Sequence, residues 1–546
     1  MSEAAPRKAN ARDDWWRGAV IYEIYIRSFQ DSDGNGIGDF AGATRRLKYL
    51  ADLGVDAIWV SPFFVSPMKD FGYDVADYTG VDPSFGTLAD FDGFVAEAHR
   101  LGLKVMIDQV LAHTSDLHPW FKESRASRDN PKADWYVWAD AKPDGTVPNN
   151  WLSHFGGPAW SWDTRRCQYY LHQFLAEQPA LNFHAPEVQD AILATVRFWL
   201  DRGVDGFRLD TVALYFVDAL LRDNPPALSH LSPESPAVNP FNYQQHVYNG
   251  VRPENIGFLM RLRALLDEYG GKATVGEVGA DDPLPVMADY TSGGDKLNMC
   301  YTFEFLGKEF SAKHFRERIS RFESIVGDGW PCWSFSNHDI TRHITRWAYI
   351  MPRERLAPLA AAILLSLRGS VCLYEGEELG LTEADLRFED LADPYGIRFW
   401  PEYKGRDGCR TPMVWEADAP NAGFTTAKPW LPIPAEHKAN TVDREVQDPA
   451  SVLSRYRMML AFRHAHPALR TGSIAFVDAP ADVLAFVREG EGERVLCAFN
   501  FGNASARFPL PETMQVTALA GHGFSGKLAG GVVDLAAGEA FFGAVA

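Results

Sequence analysis

Four apolar stretches of this sequence each run into side chains able to do chemistry. Lys104-Val105-Met106-Ile107 leads into Asp108 and His113, and Gly206-Phe207 into Arg208 and Asp210. Thr274-Val275-Gly276 leads into Glu277, and Phe335-Ser336-Asn337 into His338 and Asp339. The set is rich in carboxyls and holds no Cys or Ser–His arrangement, which points to glycosidic bonds. Breaking such a bond needs one protonated carboxyl to assist departure of the oxygen. It also needs one ionised carboxylate facing the developing oxocarbenium carbon. Arg208 stands two residues before Asp210, so on a strand both point to the same side. A guanidinium there favours the ionised form that a nucleophile requires. Glu277 follows an apolar strand, where burial raises a carboxyl's pKa and suits it to act as the acid.

These groups need elements that bring them together. The first ~470 residues alternate short apolar runs, polar loops and helical stretches, the pattern of alternating strands and helices. Eight candidate strands follow: Ala19–Tyr25, Ala57–Ser61, Lys104–Gln109, Gly206–Asp210, Thr274–Val278, Leu297–Thr302, Cys332–Ser336 and Val371–Tyr374. Amphipathic segments lie between them, including Ala41–Leu53, Leu88–Arg100 and Pro186–Arg202. The last opens with Pro and carries Val188, Ile192, Val196 and Trp199 at helical spacing. Eight alternations predict an α/β fold of the (β/α)₈ TIM-barrel kind, in which every strand's C-terminal end opens on one face. One such carboxylate alone would be explained by helix capping. Strands ending together in Asp, Glu, His and Arg are not. No glycine-rich phosphate loop follows any strand, which disfavours a doubly wound sheet, and no organic cofactor is expected.

The predicted organisation has a first barrel part over 1–112, an insertion over 113–181, and a second barrel part over 182–471. The insertion is rich in Trp, Pro, Asp and Asn, and loops of that length are usually functional or small domains of their own. A second excursion, 378–449, follows the eighth strand. From 472 to 546 the pattern changes to the short alternating runs Ser473–Val477, Val483–Arg488, Arg494–Phe499 and Val532–Leu535, predicting a C-terminal antiparallel β-sandwich.

Composition excludes other classes. The 546 residues are 46% apolar and 23% charged, as in a soluble globular protein and not a fibrous or disordered one. The net charge of −19 repels phosphates and anionic lipid, so neither a nucleic-acid nor a membrane partner is expected. No stretch approaches the ~18 apolar residues of a membrane span, and the polar N-terminus lacks the apolar segment of a signal peptide. The six cysteines have no metal-ligand spacing and mostly sit in apolar runs such as Val371-Cys372-Leu373, predicting buried reduced thiols in a cytoplasmic protein. No pattern specifies an oligomeric state.

At these residues the chain resembles the α-amylase superfamily of retaining glycoside hydrolases, within it the α-glucosidase and oligo-1,6-glucosidase branch. The matching stretches are Asp108-Gln109-Val110-Leu111-Ala112-His113, Gly206-Phe207-Arg208-Leu209-Asp210, Gly276-Glu277-Val278 and Ser336-Asn337-His338-Asp339. Gln178-Pro179-Ala180-Leu181-Asn182 and Gly369–Glu378 support them. The resemblance implies that Asp210 is the nucleophile, Glu277 the acid/base, and Asp339 a third carboxylate that binds sugar hydroxyls. It implies that His113, Arg208 and His338 hydrogen-bond the sugar in the same subsite. Met68-Lys69-Asp70-Phe71-Gly72-Tyr73 looks like the segment whose Asp holds the non-reducing glucose and whose Tyr stacks under it. Gly405-Arg406-Asp407 looks like the segment whose Arg pairs with that Asp, closing the pocket behind one glucose. Phe174 and Gln178 match positions that line the family's pocket.

The run Asp31-Ser32-Asp33-Gly34-Asn35-Gly36-Ile37-Gly38-Asp39 is a separate signal. Oxygen ligands at alternate positions, with Gly allowing a tight turn, suit a hard divalent cation. The expected ligands are Asp31, Asp33, Asn35, Asp39 and the carbonyl of Ile37. Without the twelfth-position glutamate of an EF-hand, the loop reads as structural, and the resembled branch carries Ca²⁺ or Mg²⁺ there.

Departures from the family pattern carry information too. Ala112 stands where Asn is usual and Ala180 where Asp is usual, so the calcium site that those residues build in α-amylases is not expected. Thr211 follows the nucleophile where α-1,6-preferring members carry Val, which leans specificity towards α-1,4-linked substrates such as maltose. The resemblance thus implies an exo-acting α-glucosidase working by double displacement on small oligosaccharides, with transfer of glucose to acceptor alcohols. Oligo-1,6-glucosidases, sucrose-acting hydrolases or isomerases, and trehalose synthases share these stretches.

Overall fold

The computed structural model describes residues 14–227 and 236–546; the first thirteen residues of the polar N-terminus lie outside them. Three strands open the chain: β1 (Val20–Ile24), β2 (Ala57–Val60) and β3 (Lys104–Gln109). An insertion then carries β4 (Trp138–Ala139), β5 (Trp160–Asp163) and β6 (Gln168–Leu171). Five more follow: β7 (Gly206–Leu209), β8 (Ala273–Val278), β9 (Met299–Thr302), β10 (Cys332–Ser334) and β11 (Ser370–Tyr374). All eight strands expected from the sequence form one parallel sheet in the order β10-β11-β1-β2-β3-β7-β8-β9. A bridge between Cys300 and Pro331 joins its two edges, so the sheet closes into a barrel.

The strands read as unbroken apolar runs because both faces are covered. Ile21, Trp59, Met106, Val275, Met299, Tyr301, Cys332 and Cys372 fill the barrel interior. The alternate residues Val20, Tyr22, Ile58, Val60, Val105, Ile107 and Phe207 pack outward against the helices. Gly206 is required by this closure, because a Cβ there would stand 2.3 Å from the Ala273 carbonyl oxygen. The outer helices start where the sequence says they should. Asp39 caps Phe40–Leu53 by accepting from the Gly42 N–H, and a Thr87/Asp90 capping box opens Leu88–Arg100. Trp199, on the helix Pro186–Asp201, is fully buried against Phe63, Phe64 and Phe91.

The insertion leaves and rejoins the barrel at one point. The Leu181 N–H donates to the Ala112 carbonyl and the Thr114 N–H to the Pro179 carbonyl, so the chain ends flanking Ala112 and Ala180 are zipped together by backbone. The excursion after β11 holds only short helical turns, among them Pro394–Phe399. The C-terminal region has β12 (Ser473–Phe476), β13 (Val483–Gly490), β14 (Glu493–Asn500), β15 (Ala506–Pro509), β16 (Val516–Ala518), β17 (Lys527–Ala529), β18 (Val532–Leu535) and β19 (Ala540–Val545). They form two antiparallel sheets, β12-β13-β14-β19-β16 and β15-β18-β17. Four of these strands match the sequence expectation. The strands β15 to β17 are short and half-exposed, so they leave little pattern to read, and β19 is interrupted by Gly543. Five cysteines are buried as expected. Cys167 is exposed, on the polar turn between β5 and β6.

Two buried arginines hold the junction between the barrel and this region, Arg463 from the helix Val452–Ala465 and Arg488 from β13. Arg463 donates to the carbonyls of Leu365, Leu469, Gly18 and Gly369 at 2.6–2.9 Å. Arg488, fully buried on β13, donates to those of Ser366, Leu469, Gly472 and Ser473. Burial pulls Arg488 down to about 9, with the nearby Arg463 adding to the effect. Arg488→Met removes this donor from four carbonyls, of which that of Leu469 keeps another in Arg463, and is expected to cost at least about 3 kcal/mol. A thermal melt that shifts by less than a degree would contradict this.

Candidate active site

The site is built on one inward-pointing side chain. Arg208 leaves β7 into the barrel and is fully buried. Its Nη1 donates to Asp108 at 2.9 and 3.0 Å and to Asp210 Oδ1 at 2.7 Å. Its Nη2 lies 2.7 Å from Glu277 Oε1 and donates to the Tyr301 hydroxyl, which itself donates to Glu277 Oε1 at 2.8 Å. The guanidinium also lies over Trp59. The strand alternation expected for Arg208 and Asp210 therefore brings in Glu277 as well, through the same planar fork.

Thr211 touches both carboxylates. Its N–H donates to Glu277 Oε2 at 3.1 Å and its hydroxyl to Asp210 Oδ2 at 3.2 Å. It does so from the left-handed region, φ 41° and ψ 45°, which a β-branched residue rarely adopts. Strain of this kind persists where the surroundings dictate it.

Electrostatics separate the carboxyls. Burial raises Asp210 and Glu277 to about 7, with Arg208 opposing and the neighbouring acids adding. The two titrate as a unit. Near neutral pH they can hold one proton between them, which supplies one acid and one ionised carboxylate. Asp339 behaves differently: burial would raise it, but His338, Arg406 and Arg410 outweigh that and hold it well below the usual range. Arg406 lies 3.1 Å and Arg410 2.9 Å from its Oδ1.

Asp70 and Arg406, which are 336 positions apart in sequence, meet at 2.7 Å. Asp393 accepts from the Arg406 backbone and side chain, and Gln178 donates to Asp70 at 3.0 Å. These groups open onto a cavity of about 640 Å³, lined also by Tyr73, His113, Phe174, Thr211, Asp210, Glu277 and Asp339. His113 is held near 4 by burial, hence neutral, and its Nε2–H faces the Tyr73 carbonyl at 2.9 Å. Arg208 and His338 are not on the cavity wall. Both are fully buried one layer behind it, His338 beneath Tyr73. Sequence reasoning did not single out His154, Phe155, Phe241, His246 and Tyr395 on the wall, nor Asp393 and Arg410 behind it. They lie in loops and single helical turns, too short for a period to fix direction. Tyr301 sits at an inward position of β9 that strand alternation marks.

The loop expected to hold a cation lies apart from this cavity. Ligand oxygens of Asp31, Asp33 and Asp39 fall within 4.8 Å of one another. Asp31 accepts from the N–H groups of Asp33, Gly34 and Gly36, while the Asn35 side-chain oxygen accepts from the Ile37 N–H. Among the described residues no lysine or arginine pairs with the three carboxylates. The donor set fits a hard divalent cation.

Residues 23–472 match the alpha amylase catalytic domain. The chain belongs to the alpha-amylase family. It is a family glycoside hydrolase, 56% identical to a protein of Rhizobium meliloti named "probable alpha-glucosidase", with all of both chains covered. It is 36% identical to an oligo-1,6-glucosidase of Heyndrickxia coagulans, covering 91% of this chain and 94% of that one. The solved structure of an alpha-glucosyl transfer enzyme superposes with TM-score 0.95 at 54% identity, covering 97% of this chain and 99% of that one. That of a trehalulose synthase from Pseudomonas mesoacidophila superposes with TM-score 0.87 at 36% identity, covering 97% and 99%. Among the described residues no helix is long and apolar enough to cross a membrane.

The raised carboxyls make the site a stability liability. Folded Asp210 and Glu277 keep protons that an unfolded chain releases near pH 4, so their contribution is fully present below that pH and lost as pH rises through about 7. Asp210→Asn is therefore expected to melt higher than the native chain at pH 8, with the gap closing towards pH 4. Equal melting temperatures at pH 8 would contradict the assignment.

Proposed function

We propose that this alpha-amylase family member is a retaining, exo-acting α-glucosidase that releases glucose from short α-glucosides and passes it to water or to acceptor alcohols. The observation that carries this reading is the single guanidinium of Arg208 in contact with both Asp210 and Glu277, each opening onto one cavity. Asp210 attacks the anomeric carbon as Glu277 gives its proton to the departing glycosidic oxygen, leaving a glucosyl–Asp210 ester. Glu277, now ionised, takes a proton from water or an alcohol, whose oxygen attacks the anomeric carbon and frees Asp210. Asp339, kept ionised by its arginines, accepts from sugar hydroxyls, and Tyr73 stacks under the ring with His113 and Phe174 beside it. Arg208 and His338 act from behind, through the carboxylates and Tyr73.

The Asp70–Arg406 pair, with Gln178 on Asp70, supports cleavage of one terminal glucose at a time. Thr211 supports a preference for α-1,4 over α-1,6 linkages by resemblance. The names of the relatives, an oligo-1,6-glucosidase and a trehalulose synthase among them, make the linkage and the acceptor the points to test. Cysteines that are all free, five of them buried, support a cytoplasmic setting.

Incubation with maltose, isomaltose, sucrose and trehalose should give glucose and transfer products fastest from maltose. Asp210→Asn is expected to lower maltose turnover by at least about a thousandfold. Retained turnover, or a preferred substrate other than maltose, would overturn the corresponding part of the reading.

The same reading gives Asp31, Asp33, Asn35, Asp39 and the Ile37 carbonyl a bound Ca²⁺ or Mg²⁺ that braces the start of the helix Phe40–Leu53. A chelator is expected to lower the melting temperature by several degrees, with recovery on adding either ion. A melt indifferent to chelation and to both ions would remove the cation from the account.

A further inference from the structure

Glu23 does not line the cavity, yet it is joined to the groups that do. It lies on β1, is 1% exposed, and points inward by the same alternation as Ile21. Its Oε1 is 2.5 Å from Nδ1 of His338, while its Oε2 has no hydrogen-bond partner among the described residues. The His338 ring is stacked between Tyr25 at 5.6 Å and Tyr73 at 5.4 Å, with Trp59 against its edge. Its carbonyl accepts from Arg410 Nε at 2.7 Å. A ring held this way is fixed in place, and only its protons can be rearranged.

The opposite nitrogen of that ring sets the requirement. Nε2 of His338 lies 2.6 Å from the Tyr73 hydroxyl oxygen and 3.3 Å from Asp339 Oδ2. Tyr73 has one hydroxyl proton, and it donates that proton to Asp108 Oδ2 at 3.1 Å. The contact between Tyr73 and His338 therefore needs the hydrogen on Nε2. A neutral imidazole meets this need only with Nδ1 bare, so the carboxyl beside Nδ1 has to be the donor. As an acid Glu23 donates to Nδ1; as a carboxylate it would draw the hydrogen to Nδ1 and leave Nε2 bare, because burial keeps the ring neutral. Only the acid leaves the hydrogen on Nε2. Burial raises Glu23 well above the usual carboxylate range, with Arg208 opposing, which favours the acid.

We propose that Glu23 is a positioning residue for glucosyl transfer: it keeps the proton of His338 on Nε2 and so leaves the hydroxyl proton of Tyr73 on Asp108. This rests on the glucosidase reading of the same site. The connection runs from Glu23 through His338, Tyr73, Asp108 and Arg208 to Asp210. Without Glu23 as donor, the hydrogen on Nε2 is held only by Tyr73 and by Asp339 Oδ2 at 3.3 Å, and the other tautomer becomes accessible. Tyr73 then turns its proton to Nε2, and Asp108 loses a donor on the side facing Arg208.

Two variants and one spectroscopic readout test this. Glu23→Leu is expected to lower kcat on maltose at least about tenfold. Glu23→Gln, whose amide N–H donates to Nδ1, is expected to restore kcat to within about threefold of the native chain. Imidazole ¹⁵N shifts of histidine-labelled protein, with the His338 signals assigned by their loss in His338→Gln, should report a protonated Nε2 in the native chain and in Glu23→Gln. In Glu23→Leu they should report a mixture of the two tautomers. Native-like kcat in Glu23→Leu, kcat in Glu23→Gln as low as in Glu23→Leu, or an unprotonated Nε2 in the native chain or Glu23→Gln would each overturn the proposal. The shifts are read without substrate, so they judge the tautomer even if maltose proves not to be turned over.

Discussion

One buried cation organises the site. Arg208 would be costly to bury alone, and it is stable inside the barrel because Asp108, Asp210, Glu277 and the Tyr301 hydroxyl surround it. The same arithmetic works in reverse: the cost of burial, and then the excess of three carboxyls over one guanidinium, is relieved by retaining protons. Two acidic side chains of similar chemistry thereby acquire an environment in which one can be an acid while the other is ionised. Asp339 is spared this competition because Arg406 and Arg410 attend it from another part of the chain.

Two structural sources divide the work. The barrel strands fix the groups that would break and form bonds, because their register and alternation leave no freedom at positions such as Arg208 and Glu277. The long loops supply the walls: His113, Phe155, Phe174 and Gln178 from the insertion, Tyr395 and Arg406 from the excursion after β11. Loops on a rigid scaffold can change without disturbing it. Relatives bearing different names can thus share the barrel while presenting different walls to the ligand.

The barrel was legible in the sequence because a strand covered on both faces must be apolar throughout, and eight such runs alternate with amphipathic segments. Asp210 and Glu277 were legible because each directly ends one of those runs. Asp70 and Arg406 were not legible from physics, since no local pattern joins residues so far apart; only resemblance paired them. Asp393 and Arg410 escaped both routes, lying among turns where nothing periodic fixes a side chain's direction. Glu23 and Tyr301 are a different case. The alternation applied to Arg208 and Asp210 also turns them inward, but a single polar residue in an apolar strand gives no sign of its partner until the strands are closed into a ring. The insertion's hairpin was hidden for the opposite reason: β5 and β6 are half-exposed and joined by a charged turn.

Under the proposed function, in which Asp70, Arg406 and Gln178 close the cavity behind one glucose, this wall has a kinetic meaning. A chamber shut at its far end has one doorway for arrivals and departures, so a long polymer cannot be threaded through it. The portion of substrate nearer the entrance must leave first and the innermost sugar last. Each cut is then followed by full release, which makes attack distributive, and free glucose lodged at the blind end competes with every incoming molecule.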